Sequence, residues 1–230
     1  KKMKAILLSA GYGKRLGSIT KKKPKCLVKV KSKPMLGRWL ETLENAGIDS
    51  CLVNTHYLSE QVKDFCYKNK FKTKITLKHE NELLGTAGTL MKNLEFYENS
   101  DGILLHTDNY CLENFSNFIK AHNNRPKECL MTMVVFETKN PEECGICKLN
   151  KKNILVDFFE KEKEPHGNLA NGAIYILSEE FLKILNKNFK NSKNFTKDIV
   201  VNFKNKIFCY KTKDTFIDIG NINSLNQANS

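Results

Sequence analysis

Ala5-Ile6-Leu7-Leu8-Ser9-Ala10-Gly11-Tyr12-Gly13-Lys14-Arg15-Leu16 is an apolar run that ends in small residues, turns through two glycines and delivers two cations. It reads as a buried strand feeding a phosphate-sized loop. Gly11 and Gly13 permit positive φ and let backbone amides come close to phosphate oxygens, while Arg15 adds a planar fork for an anion. A strand-Gly-x-Gly turn also has many purely structural uses. The loop is not a Walker A motif, because no Gly-Lys-Ser/Thr follows four residues after the first glycine, and it lacks the third glycine and the ribose acid of a dinucleotide fingerprint. Downstream, Lys22-Lys23-Pro24-Lys25 supports an anion site, since Pro24 fixes the backbone and aims Lys25 back toward the loop. Two cations on one turn suit a triphosphate.

Working outward, Met35, Leu36, Trp39, Leu40, Leu43 and Ala46 keep helical spacing after Pro34, and Gly47 ends that helix. A strand over 51–55, a helix marked by Leu58, Val62 and Phe65, and a strand over 75–78 follow. A helix over 86–94 opens on Gly85-Thr86, and a strand over 103–107 stops at Asp108. This alternation predicts one α/β domain over residues 1–230, with a nucleotide-binding half to about residue 110. In open parallel sheets ligands collect at the strands' carboxyl ends, which would bring Gly11, Thr86 and Asp108 to one rim. Later residues predict a helix over 115–122 and strands over 130–137, 146–149, 153–159 and 172–177. Helices over 179–189 and 195–203 come next, then strand-and-turn character over 207–210 and 216–220.

The composition is that of an ordinary globular chain: 230 residues, 40% hydrophobic and 27% charged, enough to build a core without disulfides. A mean hydropathy of −0.45 and the lack of a long apolar run argue against a membrane span or a secretory signal. The eight cysteines sit in apolar segments, as reduced thiols of a cytoplasmic protein would. Cys144-Gly145-Ile146-Cys147 has no second pair at zinc spacing. A net charge of +13 favours polyanionic or phosphorylated partners. No nucleic-acid-binding signature accompanies it, so no nucleic acid and no membrane partner is expected. The start at Lys1-Lys2-Met3 suits a piece of a longer chain.

In order along nearly the whole chain, the motifs resemble those of the sugar-1-phosphate nucleotidyltransferases. They are Gly11-Tyr12-Gly13-Lys14-Arg15-Leu16, Thr20, Pro24-Lys25, Lys33-Pro34, Leu84-Gly85-Thr86-Ala87-Gly88 and Thr107-Asp108. Phe159-Glu160-Lys161, Asn171 to Tyr175 and Ile217-Asp218-Ile219-Gly220 complete the set. Departures are Lys14 for the usual Thr, Ser9 for a small apolar residue, Ser18 for Pro, and Asn109 after the aspartate. The resemblance implies a Rossmann-like α/β fold, a mostly parallel central sheet with helices on both faces, and a sugar-phosphate half from about residue 111. It implies a reaction in which a sugar 1-phosphate attacks the α-phosphorus of an NTP and pyrophosphate leaves, for nucleotide-sugar and surface-glycan synthesis. Oligomeric state stays open, a homodimer included.

A phosphate monoester is already a nucleophile, so positioning and charge stabilisation should carry such a reaction. By the resemblance, Arg15 would stabilise the leaving pyrophosphate, Lys25 the α-phosphate, and Lys161 the sugar phosphate. Asp108 and Asp218 would hold Mg²⁺. Ala10, Gly11, Gly13, Lys14, Glu80, Gly85 and Thr86 would bind the nucleotide; Asn109, Gly145, Glu160 and Asn171 would face the sugar. A carboxylate near the base, from Glu80 or Glu82, would accept from the guanine N1 and N2 donors and favours GTP. A thymidylyl-, uridylyl- or cytidylyltransferase, a non-sugar phosphate acceptor, and a non-catalytic nucleotide sensor are the alternatives.

Overall fold

A computed structural model describes residues 2–230. The first half runs β1 (Lys4–Leu8), α1 (Ile19–Lys22), β2 (Lys29–Val30), β3 (Lys33–Pro34), α2 (Met35–Asn45), β4 (Ser50–Thr55), α3 (Ser59–Lys68), β5 (Lys74–His79), α4 (Thr86–Lys92) and β6 (Gly102–His106), with the alternation from α2 to β6 as expected. The second half runs β7 (Asn109–Cys111), α5 (Phe115–Asn123), β8 (Met131–Glu137), β9 (Gly145–Leu149), β10 (Leu155–Glu160), β11 (Leu169–Leu177), α6 (Glu179–Asn188), β12 (Ile207–Lys211), β13 (Phe216–Asp218) and α7 (Ile222–Asn229).

Nine strands form one sheet through both halves, in the order β10-β9-β11-β6-β1-β4-β5, with β8 pairing β11 and β12. The strands β5, β4, β1 and β6 are mutually parallel, so the segments that leave their carboxyl ends emerge at one edge. β11 joins β6 antiparallel and carries the sheet into the second half.

Alternation along β1 explains why both faces must be covered. Ala5 and Leu7 pack beneath Leu36, Trp39, Leu40 and Phe118 of α2 and α5, whereas Ile6 faces Leu90 of α4 and Phe181 of α6. α6 begins where Ser178 accepts from Phe181 N at 3.1 Å, and α5 where Asn114 accepts from Ser116 N at 3.0 Å.

Six elements differ from the sequence expectation: the short α1, β2 and β3 stand between the glycine loop and α2 where no element was expected, and three more lie further along. The helix expected over 195–203 is a π turn, Phe195–Ile199, followed by a 3-10 turn, Val200–Asn202. Tertiary bonds override the helical spacing: Asp198 accepts from both Lys193 N and Asn194 N at 2.8 Å, and Phe195 N donates to Thr86 Oγ1 at 2.8 Å. β7 and α7 were not expected. β7 pairs with β13, and α7 starts with a capping box between Asn221 and Ser224.

All eight cysteines are free thiols, and Cys26, Cys51, Cys129, Cys147 and Cys209 are buried. No helix among the described residues is long and apolar enough to cross a membrane.

Candidate active site

The loop after β1 is held from below. Thr20 Oγ1 donates to Gly13 O at 2.7 Å, and Gly13 takes φ 65°. A Cβ at Gly13 would stand 2.9 Å from Thr20 Cγ2 and 3.0 Å from Lys25 Cβ, so this glycine is what lets Lys25 pass close beneath the loop. Lys25 Nζ then reaches Asp108 Oδ2 at 2.5 Å, just beyond the end of β6.

Two cavities open on this junction. The first, of about 250 Å³, is lined by Ala10, Gly11, Gly13, Lys25, Glu80, Gly85, Thr86 and Asp108, with Ser9, Asn54, Leu83, Thr89, His106 and Thr107 among the others. The second, of about 170 Å³, is lined by Asn109, Gly145, Glu160, Lys161, Asn171, Asp218 and Asp108, with His106, Phe136, Glu143, Cys144, Phe158, Thr196 and Phe216 around them. Among the described residues, only His106 and Asp108 belong to both linings.

Glu80 anchors the far wall of the first cavity. Its Oε1 accepts from Thr89 Oγ1 and from Asn54 Nδ2, the latter at 3.2 Å, while Oε2 receives only Leu84 N at 3.4 Å. One carboxyl oxygen is therefore engaged by the protein and the other is nearly uncommitted. Asn54 also accepts from Ser9 N at 2.6 Å, tying this wall to the glycine loop. A second tie runs from Tyr12 OH to His56 Nε2 at 2.8 Å, with His56 Nδ1 at 2.7 Å from Glu80 O. Gly85, at φ 81°, has no room for a Cβ against Lys193 O, and Thr86 spends its hydroxyl accepting from Phe195 N at 2.8 Å.

The second cavity rests on a bulge. Register between β11 and β8 shifts between Asn171 and Tyr175, and Ala173 takes φ 53°. Asn109 Nδ2 donates to Gly172 O at 2.9 Å and braces the bulge. Asn171 Nδ2 donates to Tyr175 OH at 2.9 Å, and its Oδ1 accepts from Ala173 N at 2.8 Å. Asn171 was expected to be both donor and acceptor to a sugar, but these bonds leave its oxygen engaged and one amide hydrogen free. Glu160 differs: its Oε2 is buried without a hydrogen-bond partner among the described residues. A buried lone oxygen of this kind is costly unless a ligand supplies a donor. Gly145 is required by packing, because a Cβ there would collide with the Phe158 ring.

Asp108 and Asp218 meet through the β7–β13 ladder. Asp218 pairs in register with Asn109, and Ile219 N donates to Asp108 O at 2.9 Å. Their electrostatics diverge. Loss of water from its surroundings and then the charge of Asp108 push the Asp218 carboxyl up to about 6. Desolvation also acts upward on Asp108, but Lys25 and then His106 outweigh it and hold this carboxyl below the usual range. Burial lowers His106 below the ordinary histidine range; Asp108 opposes that shift and Lys25 adds to it. Among the described residues no cluster of three or more His, Cys, Asp or Glu side chains forms, so the candidate cation site is the pair Asp108 and Asp218.

Two expected ligands lie outside both linings. Lys14 stands over the Tyr12 ring, with Nζ 5.5 Å from its centroid. The 3-10 turn after Gly13 sends Leu16 into the core and leaves Lys14 exposed, where its charge stays hydrated. Arg15 reaches the other way, and a Cβ at Gly220 would be 3.2 Å from its Nη2. It stands beside Asp218, whose carboxyl its charge helps lower. Sequence reasoning missed His106, Asn54 and Thr89; the signal for Asn54 was a polar residue directly after the apolar run Cys51-Leu52-Val53 in the same strand.

The Nucleotidyl transferase family model matches residues 4–230. Mannose-1-phosphate guanyltransferase of Saccharomyces cerevisiae is 29% identical over 227 residues, covering 95% of this chain and 61% of the yeast protein. The chain thus spans under two thirds of that relative's length. The crystal structure of HddC from Yersinia pseudotuberculosis superimposes with a TM-score of 0.83 at 26% identity, covering 98% of this chain and 97% of that one. HddC complexed with GMP-PN gives a TM-score of 0.82 at 25% identity, covering 99% of this chain and 98% of that one. With its motifs in order, both cavities in place and a match over nearly its full length, the chain belongs to the nucleotidyl transferase family.

Proposed function

We propose that the chain transfers a nucleotidyl group from an NTP, GTP by preference, to a sugar 1-phosphate, giving a nucleotide sugar and pyrophosphate. The observation that carries this reading is the pair of cavities sharing one floor. One has a glycine loop for phosphates and a carboxyl wall for a base; the other has a lone carboxyl oxygen and a lysine. The guanyltransferase relatives and the HddC complex with GMP-PN support the choice of nucleotide. Free thiols and an NTP substrate support a cytoplasmic setting, and nucleotide-sugar supply for glycans is the role that fits the product.

In this reading the amides of Gly11 and Gly13 hold the triphosphate tail and Arg15 approaches the departing pyrophosphate from the Gly220 side. Lys25 lies under the α-phosphate. Lys161 meets the sugar phosphate, and Glu160 Oε2 accepts from a sugar hydroxyl. The sugar phosphate oxygen attacks in line without a general base. The residues fit a divalent cation, since loss of water and then the neighbouring charge of Asp108 make Asp218 hold its proton more tightly, the mark of a site short of positive charge. Asp108 and Asp218 would hold Mg²⁺, which supplies positive charge to the phosphates when bound.

Proton and cation compete for Asp218. Its raised value places proton uptake near pH 6, so affinity for Mg²⁺ is expected to fall as pH drops through about 6 and to plateau above it. Titration calorimetry with MgCl₂ between pH 5 and pH 8 measures this; a flat profile contradicts the assignment. At the base, Glu80→Gln can keep the bonds that Oε1 accepts from Thr89 and Asn54 but puts a donor-only NH2 in place of the acceptor Oε2. It should cut kcat/KM for GTP by roughly 10- to 100-fold, and UTP should lose less. Equal losses for both nucleotides would remove Glu80 from base recognition.

The reading is tested by pyrophosphate release across four NTPs and a panel of sugar 1-phosphates. Release with GTP and a subset of the sugars is expected. Release with another NTP alone overturns the guanylyl choice, and no release with any pair overturns the transferase reading.

A further inference from the structure

The phosphorus that changes partners must lie where the nucleotide cavity opens into the sugar-phosphate cavity, and two residues line both, Asp108 and His106. Asp108 is committed to Lys25 and to the cation pair. The His106 side chain is not committed by hydrogen bonding: neither ring nitrogen has a hydrogen-bond partner among the described residues, while its backbone belongs to the β1–β6 ladder and its carbonyl accepts from Asn109 Nδ2 at 3.4 Å. Its place is rigid. It ends β6, in parallel register with Leu8 of β1, and Thr107 N donates to Leu8 O at 3.2 Å, so the ring stands on a central strand of the sheet and not on a loop. An imidazole on a rigid strand, half-buried and without an internal hydrogen-bond partner on its ring, presents an oriented N–H to whatever occupies the junction.

We propose that His106 is a catalytic residue of the transfer, donating an N–H hydrogen bond to a non-bridging oxygen of the α-phosphoryl group as it passes between the two cavities. This rests on the transferase reading above. The step balances without it taking or giving a proton. An oxygen of the sugar phosphate forms a bond to the α-phosphorus, and the bond from that phosphorus to the oxygen shared with the β-phosphorus breaks. The electron pair leaves with pyrophosphate. Negative charge on the α-phosphoryl oxygens meets Lys25 from one side and the imidazole N–H from another. Since the bond strengthens as that charge is redistributed, its loss falls on turnover more than on nucleotide binding.

The test compares wild type, His106→Leu and His106→Gln in pyrophosphate release, with calorimetry of GTP binding in MgCl₂. His106→Leu is expected to lose roughly 10²-fold in kcat with the GTP Kd changed by less than about threefold, while His106→Gln, which keeps an N–H, recovers much of the loss. Turnover of His106→Leu within about threefold of wild type overturns the proposal, as does a loss confined to Kd. His106→Phe fills the ring's space without a donor and gives the same reading if His106→Leu does not fold. A second readout is the ratio of rates with the two GTPαS diastereomers, which should change in the apolar variant; an unchanged ratio also overturns the proposal. Wild type that releases no pyrophosphate at all would instead count against the transferase reading.

Discussion

Asp108→Asn and Asp218→Asn should each lower turnover by roughly 10²- to 10³-fold, but only Asp108→Asn should lower thermal stability. The activity losses follow from removing one of two carboxylates that would hold the cation. The stability signs follow from their different surroundings. Asp218 has a folded value raised to about 6, so the folded state holds its proton more tightly than the unfolded chain. Stability is lost as pH rises through the window from the ordinary aspartate range toward 6, and at pH 7.5 the ionised group is a net cost. Asn removes that cost, and Tm should stay level or rise. Asp108 is the reverse case: its folded value is lowered chiefly by Lys25, so it stabilises the fold above the unfolded value and that contribution vanishes only in acid. Asp108→Asn forfeits it, leaves Lys25 unpaired and should lower Tm. Scanning calorimetry at pH 7.5 beside steady-state rates checks both signs. Tm shifts of the same sign, or wild-type turnover in either variant, would contradict the account.

Lys25→Ala should reduce kcat by roughly 10²- to 10³-fold with little change in KM for the sugar phosphate. The side chain is fixed at both ends. Its stem lies against Gly13 in the loop, and its ammonium lies 2.5 Å from Asp108. A cation held this way costs no reorganisation when charge builds on the α-phosphate, which is why its removal should fall on the rate. Lys25→Arg should not restore it, because a planar guanidinium is wider than the ammonium that lies 2.5 Å from Asp108 and cannot put its charge at the same point. Full activity of Lys25→Ala would remove this residue from the reaction. A rise in KM alone would make it a binding group only.

Local signals made most of this architecture legible. The apolar run ending at Ser9, the helical spacing from Met35 to Leu43, and the strand stopping at Asp108 each carry their own period and stop, and each lies where those signals put it. β7 was hidden because Asn109, Tyr110 and Cys111 become a strand only by pairing with residues 216–218, far along the chain. α7 was more accessible, since Asn221 with Ser224 is a capping box before Leu225 and Ala228, both of which are buried. The segment 195–203 has helical spacing, yet Thr86 and Asp198 bind its backbone from outside the helical ladder.

At the site, motif positions identified most of the cavity linings but not what their side chains were already doing. Thr86 and Asn171 proved to be engaged within the protein, Lys14 lay over Tyr12, and Glu160 kept an oxygen free. Those differences depend on hydrogen bonds between distant segments, which spacing does not encode.

The most direct measurement follows a label from the first phosphorus of the nucleotide. Wild-type protein, MgCl₂, a sugar 1-phosphate that supports pyrophosphate release and GTP labelled with ³²P at the α-position are incubated, and the products are separated. If the two cavities hold nucleotide and sugar phosphate on one floor, all transferred label appears in the nucleotide sugar and none in pyrophosphate. Label in pyrophosphate, or in free GMP without nucleotide sugar, would contradict it.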